Sequence, residues 1–126
     1  MAEDENLLKI VQAIHARHGF MVRALDMTEF PLTVDLFLIV SSDNRIQSRA
    51  IADHVEETAR DLGWRLHHSE GYEEGSWILL DFVDFVVHVF LVEKREYYNL
   101  EMLWSDAPSR RFEDPEESDD PFTGKR

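Results

Sequence analysis

The chain contains no cysteine among its 126 residues. Disulfides, thiol nucleophiles and cysteine-based zinc sites are thereby excluded. Basic residues are scarce: 13 Lys and Arg stand against 26 Asp and Glu, a net charge of −13 at pH 7. Free-standing nucleic-acid binding needs clustered Lys and Arg to neutralise phosphates, so that class is set aside. A surface of this sign suits a basic protein partner instead. Long hydrophobic runs are missing as well. The most apolar stretch, residues 77–92, is interrupted by Asp81, Asp84 and His88, whereas a membrane span needs about 20 apolar residues with few or no charges. The first residues, MAEDEN, lack both the apolar segment of a secretory signal and the arginines of a transit peptide. Elimination leaves a soluble cytoplasmic protein, with room for one domain and a modest core.

What is present is organised around Trp77–Trp104. Short runs rich in Val, Ile, Phe and Trp read as strands, here Trp77–Phe82 and Phe85–Val92, broken at the turn around Asp81–Asp84. The charged turn Glu93–Glu96 then opens a short helix carrying Tyr97, Leu100, Leu103 and Trp104, with Tyr97 and Trp104 expected to pack into the core. Upstream, Asp4 or Asn6 caps a helix with Leu7, Leu8, Val11, Ala13 and Ile14 on its apolar side, and Gly19 stops it. Strands Phe20–Met27 and Val34–Val40 flank a turn at Glu29–Pro31. Ser41, Ser42 or Asp43 caps a second helix with the stripe Ile46, Ala50, Val55, Ala59 and Leu62, ended by Gly63. A strand at Trp64–His68 and a loop at Glu70–Ser76 complete the series.

The order predicts an α+β fold: a mixed five-stranded sheet with two main helices on one face and a short C-terminal helix. Two helices cover one face only, so the other is solvated, self-associated or docked onto a partner. The domain is expected to span residues 1–108, followed by a disordered acidic tail at 109–126 with Pro115, Pro121 and Gly124 and few large apolar residues.

Candidate chemistry is thin. His67 and His68 are adjacent, so on a strand they point to opposite faces and cannot share a metal. His15 and His18 lie three apart at the end of a helix, where basic residues are favoured without any metal, and a genuine site needs three or more ligands. Asp81 and Asp84 flank a turn; capping nearby backbone N–H groups accounts for them, with contact to a basic protein surface as the functional alternative. His88 in an apolar strand reads as a hydrogen-bonded structural residue or an interface residue. Ser41-Ser42-Asp43-Asn44-Arg45 lacks the glycines of a phosphate loop and is explained by helix capping.

Ser69-Glu70-Gly71, the run Trp77–Phe82, Val86-Val87-His88-Val89-Phe90, Arg95–Glu101 (REYYNLE) and Leu103–Pro108 (LWSDAP) follow one another in an order that resembles the Iojap-like ribosomal silencing factors. The likeness extends through Ser41–Arg45 and Ala50–Asp53 and covers roughly residues 5–108. It implies a nucleotidyltransferase-like topology without the active site, hence no enzyme, cofactor or metal. It further implies a translational repressor that binds the large ribosomal subunit through its basic β-rich protein number fourteen. Such a protein sterically blocks joining of the small subunit under nutrient limitation, and relatives assist large-subunit biogenesis. By motif, the implied docking residues are Trp77, Leu80, Asp81, Phe82, Asp84, Val86 and His88, with Tyr98 and Glu101. Little direct RNA contact and no membrane are implied, and the open face also allows a homodimer.

One departure concerns Val83, where the family usually carries glycine. Glycine permits φ > 0 at little cost and a β-branched residue does not, so either the turn keeps φ negative or this corner has another shape. Two rival readings stand beside the resemblance. A nucleotidyltransferase-like enzyme would use a Gly-Ser turn and closely spaced metal-binding carboxylates; Ser41-Ser42 lacks the glycine, and Asp81 and Asp84 lie across a turn. A dimeric adaptor independent of ribosomes is the other.

Overall fold

The structure, a computed structural model, describes residues 4–115. Helix α1 (Asp4–Ala16) leads into strands β1 (Phe20–Asp26) and β2 (Leu36–Ser42), followed by helix α2 (Arg45–Asp61). Strands β3 (His68–Glu70), β4 (Trp77–Asp81) and β5 (Phe85–Leu91) come next, then the short helices α3 (Val92–Tyr98) and α4 (Leu100–Leu103) and strand β6 (Ser109–Phe112). The sheet order is β3-β4-β5-β2-β1-β6. β2 and β5 run parallel and every other pairing is antiparallel.

The fold is thus α+β with a mixed sheet, but the sheet has six strands, not five. The additional strand comes from the segment expected to be a tail. Ser109–Phe112 pairs with β1, Val22 opposite Phe112 and Leu25 opposite Ser109, and the Phe112 ring packs against the core. The domain therefore extends beyond residue 108, and residues 116–126 of the expected tail lie outside the described residues.

Helix α2 begins one residue later than its expected caps. Asn44 is the cap, its side chain accepting from the Gln47 N–H at 2.8 Å, while Gln47 Oε1 accepts from the Asp43 N–H at 2.7 Å. Its buried stripe is Ser48, Ile51, Ala52, Val55 and Ala59. At about 100° per residue, Ile46 and Ala50 fall on the far side of the helix, and Ile46 is largely exposed to solvent. Ser48 is tolerated inside because its hydroxyl is hydrogen-bonded to that of Ser42. In α1, Ile10 takes a core position and Leu8 points outward. The strand expected at Trp64–His68 lies at His68–Glu70 instead, and Trp64 sits edge-on against Phe85 at 5.1 Å.

Alternation divides the strands between two cores. Val22, Ala24, Leu36, Leu38, Val40, Ile78, Leu80, Val87 and Val89 meet the apolar stripes of α1 and α2. Leu25, Ile39, Val86 and Phe90 point the other way, toward Met27, Val34 and Ala107 from the connecting segments. Each fully buried side chain of this size contributes about 1.5–3 kcal/mol, which makes both cores significant for stability.

Two backbone positions fix the β4 hairpin. Val83 has φ of 76°, and the Asp84 N–H bonds the Phe82 carbonyl at 2.9 Å, closing a γ-turn. The Asp81 carboxylate holds this corner by accepting the Val83 N–H at 2.8 Å. A β-branched residue in a positive-φ γ-turn is strained, so the turn does not keep φ negative. At the other end, Gly71 has φ of 80°, and a Cβ there would collide with the Trp77 carbonyl oxygen.

Two stability changes of opposite sign follow. Val83→Gly removes the strain and raises unfolding free energy by about 1 kcal/mol, net of glycine's entropy cost. Gly71→Ala lowers it by about 2 kcal/mol or more and shifts tryptophan emission by displacing Trp77. Urea titration followed by fluorescence measures both; a stabilised Gly71→Ala or a destabilised Val83→Gly would contradict the assigned strain.

Candidate functional site

The face of the sheet turned away from α1 and α2 is roofed by rings. On β4 the burial pattern alternates, with Ile78 and Leu80 inside and Trp77, Leu79 and Asp81 half-exposed on this second face. Cross-strand partners on β5 continue it: Trp77 lies opposite Phe90 and Leu79 opposite His88. Trp77 stacks on Phe90 with centroids 4.8 Å apart, and His88 meets the edge of Phe37 at 4.9 Å. Trp104 packs edge-on against Phe37 at 6.1 Å and Phe30 at 5.2 Å. At the other end Tyr98 lies 4.7 Å from Trp77, and Tyr97 stands edge-on to Tyr98 at 5.0 Å. The rings form one continuous layer from Tyr97 to Phe30. Pairs at these spacings contribute about 0.5–1.5 kcal/mol each beyond area burial.

His88 is the polar centre of this layer. Its Nδ1 accepts the Trp77 indole N–H at 3.1 Å. The imidazole is therefore the neutral tautomer with its proton on Nε2, and burial pushes its pKa down to about 4. Nε2 itself is buried and meets no hydrogen-bond partner among the described residues.

The layer ends in an exposed corner. Asn99, at φ 48° and ψ 59°, terminates α3 and caps α4, its side chain accepting the Met102 N–H at 3.2 Å. Left-handed backbone is tolerated by Asn better than by most residues. The break resets the helical phase, so Leu100 and Trp104 face the sheet while Tyr97 (78% exposed), Met102 (70%) and Leu103 (68%) face solvent, with Tyr98 at 46%. The core position expected for Tyr97 is corrected, since its side chain faces solvent, whereas Trp104 packs inward as expected. Glu93, Glu96 and Asp106 are exposed along the same segment.

The residues expected to dock separate into distinct environments. Trp77 and Tyr98 come together at the corner, and Asp81 lies on the same face two residues beyond Leu79. Asp84 is exposed at the hairpin tip, the far end of β4 from Trp77. Leu80 and Phe82 do not reach a surface: they are 2% and 3% exposed in the core beneath the helices, Phe82 stacked on Phe85 at 4.7 Å. A strand turns successive residues to opposite faces, so these two cannot accompany Trp77 and Asp81. Val86 and His88 belong to the second face but do not reach solvent, Val86 lying in its core and His88 within the aromatic layer itself. The Glu101 carboxylate is taken up by Arg95, at 2.6 Å from Nη2. Leu79, Tyr97, Met102 and Leu103 are exposed or half-exposed residues of this region that motif reading left out. Asp81 offered the signal for Leu79, because a polar residue marks the outward parity of its strand.

The unfolded chain takes up a proton on His88 near pH 6.5 and the folded chain only near pH 4. Stability is therefore full above pH 6.5 and falls as pH drops through that window, by about 3 kcal/mol if the whole shift is traversed. Urea unfolding between pH 7 and pH 4 measures the slope. His88→Phe should flatten most of it, leaving the smaller share of His15, whose pKa burial also lowers against the attraction of Asp114.

Comparison with known proteins places this geometry. A family model described as "Ribosomal silencing factor during starvation" matches residues 1–125. The ribosomal silencing factor RsfS of Halalkalibacterium halodurans is 40% identical over 113 residues, 90% of this chain and 97% of that protein. RsfS of Bacillus subtilis is 44% identical over 105 residues, 82% of this chain and 89% of that one. A crystal structure of a Bacillus halodurans protein superposes with a TM-score of 0.75 at 37% identity, covering 87% of this chain and all of its own. A family model spanning nearly the whole chain, together with relatives at 40% and 44% identity and the shared fold, leaves one assignment: the chain belongs to the Iojap-like ribosomal silencing factor family.

Proposed function

We propose that this chain represses translation by binding the large ribosomal subunit and standing in the way of the small one. The contact is made with the basic β-rich protein number fourteen of the large subunit, and nutrient limitation is the occasion for it. A nucleotidyltransferase-like topology is thereby put to non-catalytic use: no bond is made or broken, and bulk at the subunit interface prevents joining. The observation that carries the reading is the corner formed by Tyr97, Tyr98, Met102 and Leu103, exposed beside Trp77 and Leu79. Soluble monomers rarely leave large apolar side chains clustered in water without a partner for them. Tyr, Trp and Met are also the residue types enriched where interfaces gain most of their affinity. The acidic chain favours a basic protein over ribosomal RNA, which would repel it. Asp81, on the same face of β4 as Trp77 and Leu79, adds negative charge to this side of the sheet, while Asp84 stands apart at the hairpin tip. Self-association of two copies would use this corner as well.

Sucrose-gradient sedimentation tests the reading. The chain should travel with free large subunits and be absent from translating ribosomes; failure to co-sediment with purified large subunits refutes it. Tyr97→Ala combined with Leu103→Ala should weaken subunit binding about tenfold or more while leaving the melting temperature nearly unchanged, since neither side chain is in the core. Trp77→Ala is the less selective probe, because Trp77 also holds His88 and Phe90.

A further inference from the structure

The exposed corner is carried by helices of only seven and four residues, far too short to hold their own shape in water. Something else must fix them. Arg95, on α3, has a side chain only 11% exposed, and it makes four hydrogen bonds to three residues. Its Nε and Nη2 donate to Glu101 Oε1 and Oε2 at 3.3 and 2.6 Å. Its Nη1 donates to the Met21 carbonyl at 2.6 Å and to the Ser41 hydroxyl at 2.9 Å. One guanidinium thus joins α3, α4, β1 and β2.

The strand beneath is shaped to receive it. Met21 is a non-glycine residue at φ 52°, located where the β1–β2 register breaks between Phe20 and Arg23. Strained backbone of this kind persists only where its surroundings over-determine it. Here the Met21 carbonyl meets Arg95 and its N–H meets Asp114 Oδ1 at 2.9 Å. A fork of rigid donors suits this arrangement and a lysine would not reproduce it.

We infer that the Arg95–Glu101 pair is a positioning clasp for the docking corner: it sets the angle between α3 and α4, and so the placement of Tyr97, Met102 and Leu103, without touching a partner itself. The link to docking rests on the function proposed above; the effect on the corner does not.

Two measurements test it on the full chain. In Glu101→Ala, the amides of Met102, Leu103 and Trp104 should exchange hydrogen about tenfold faster or more, with β5 amides unaffected. If the unpaired arginine unfolds that variant, Arg95→Leu/Glu101→Leu removes both charges and keeps the apolar stems for the same measurement. Unchanged exchange at the corner overturns the clasp. The second measurement is affinity for purified large subunits in a double-mutant cycle. Loss of the clasp should weaken binding about tenfold in the wild-type background, and by less than about threefold where Tyr97 and Leu103 are already Ala. Equal losses in both backgrounds overturn the positioning role. A wild-type chain that ignores large subunits removes the docking reading, and hydrogen exchange alone then upholds or overturns the clasp.

Discussion

Strand β5 has no wet side. Every residue from Phe85 to Leu91 is buried, so the sheet around it must be covered twice. Among the described residues two helices are long, and both lie on one face, where they meet a core of mostly aliphatic side chains. The second face is closed by another material. Rings from Phe30, Phe37, Trp77, Tyr98 and Trp104, together with His88, overlap into a roof that two short helices and a connecting segment can carry. Large aromatic side chains each bury about 150–250 Å², so a few of them do what would otherwise take a third helix.

A roof of this kind has an edge, and the docking corner proposed above lies on it. Where the layer runs out, toward β4 and α3, its last members are half-covered rings and the exposed side chains around Asn99. Buried and exposed aromatic surface are continuous with each other. A partner that covers Tyr97 and Tyr98 extends the same stacking that stabilises Trp77 and Phe90. The excess of carboxylates over the whole chain keeps such a surface soluble when nothing is bound and orients it toward cationic neighbours.

Much of this was legible in the order of residues. Alternation and glycine punctuation located α1, β1, β2, α2 and the β4–β5 hairpin to within a few residues, and the motif series pointed to the family. Four features were not, each for a physical reason. The phase of α2 is hidden because Ile46 is apolar yet belongs to a turn with nothing to pack against. Strand β6 escaped because Ser109–Phe112 carries two arginines and one apolar ring, a composition that edge strands share with unstructured tails. Leu80 and Phe82 were grouped with Trp77 and Asp81 because a motif preserves residue identity and says nothing of side-chain parity. The break at Asn99 was likewise invisible to a periodicity that assumes one unbroken helix.

The pairing of His88 with Trp77 has a use beyond stability. The ring proton on Nε2 is shut away from water and from any acceptor among the described residues, so it trades with solvent slowly. In a nitrogen-labelled sample the Nε2 of His88 resonates well away from the backbone amides, so this one ring can be followed by itself. It lies one ring away from the surface at which binding is proposed, so it offers an intrinsic beacon for whether the roof stays shut when the chain meets its target.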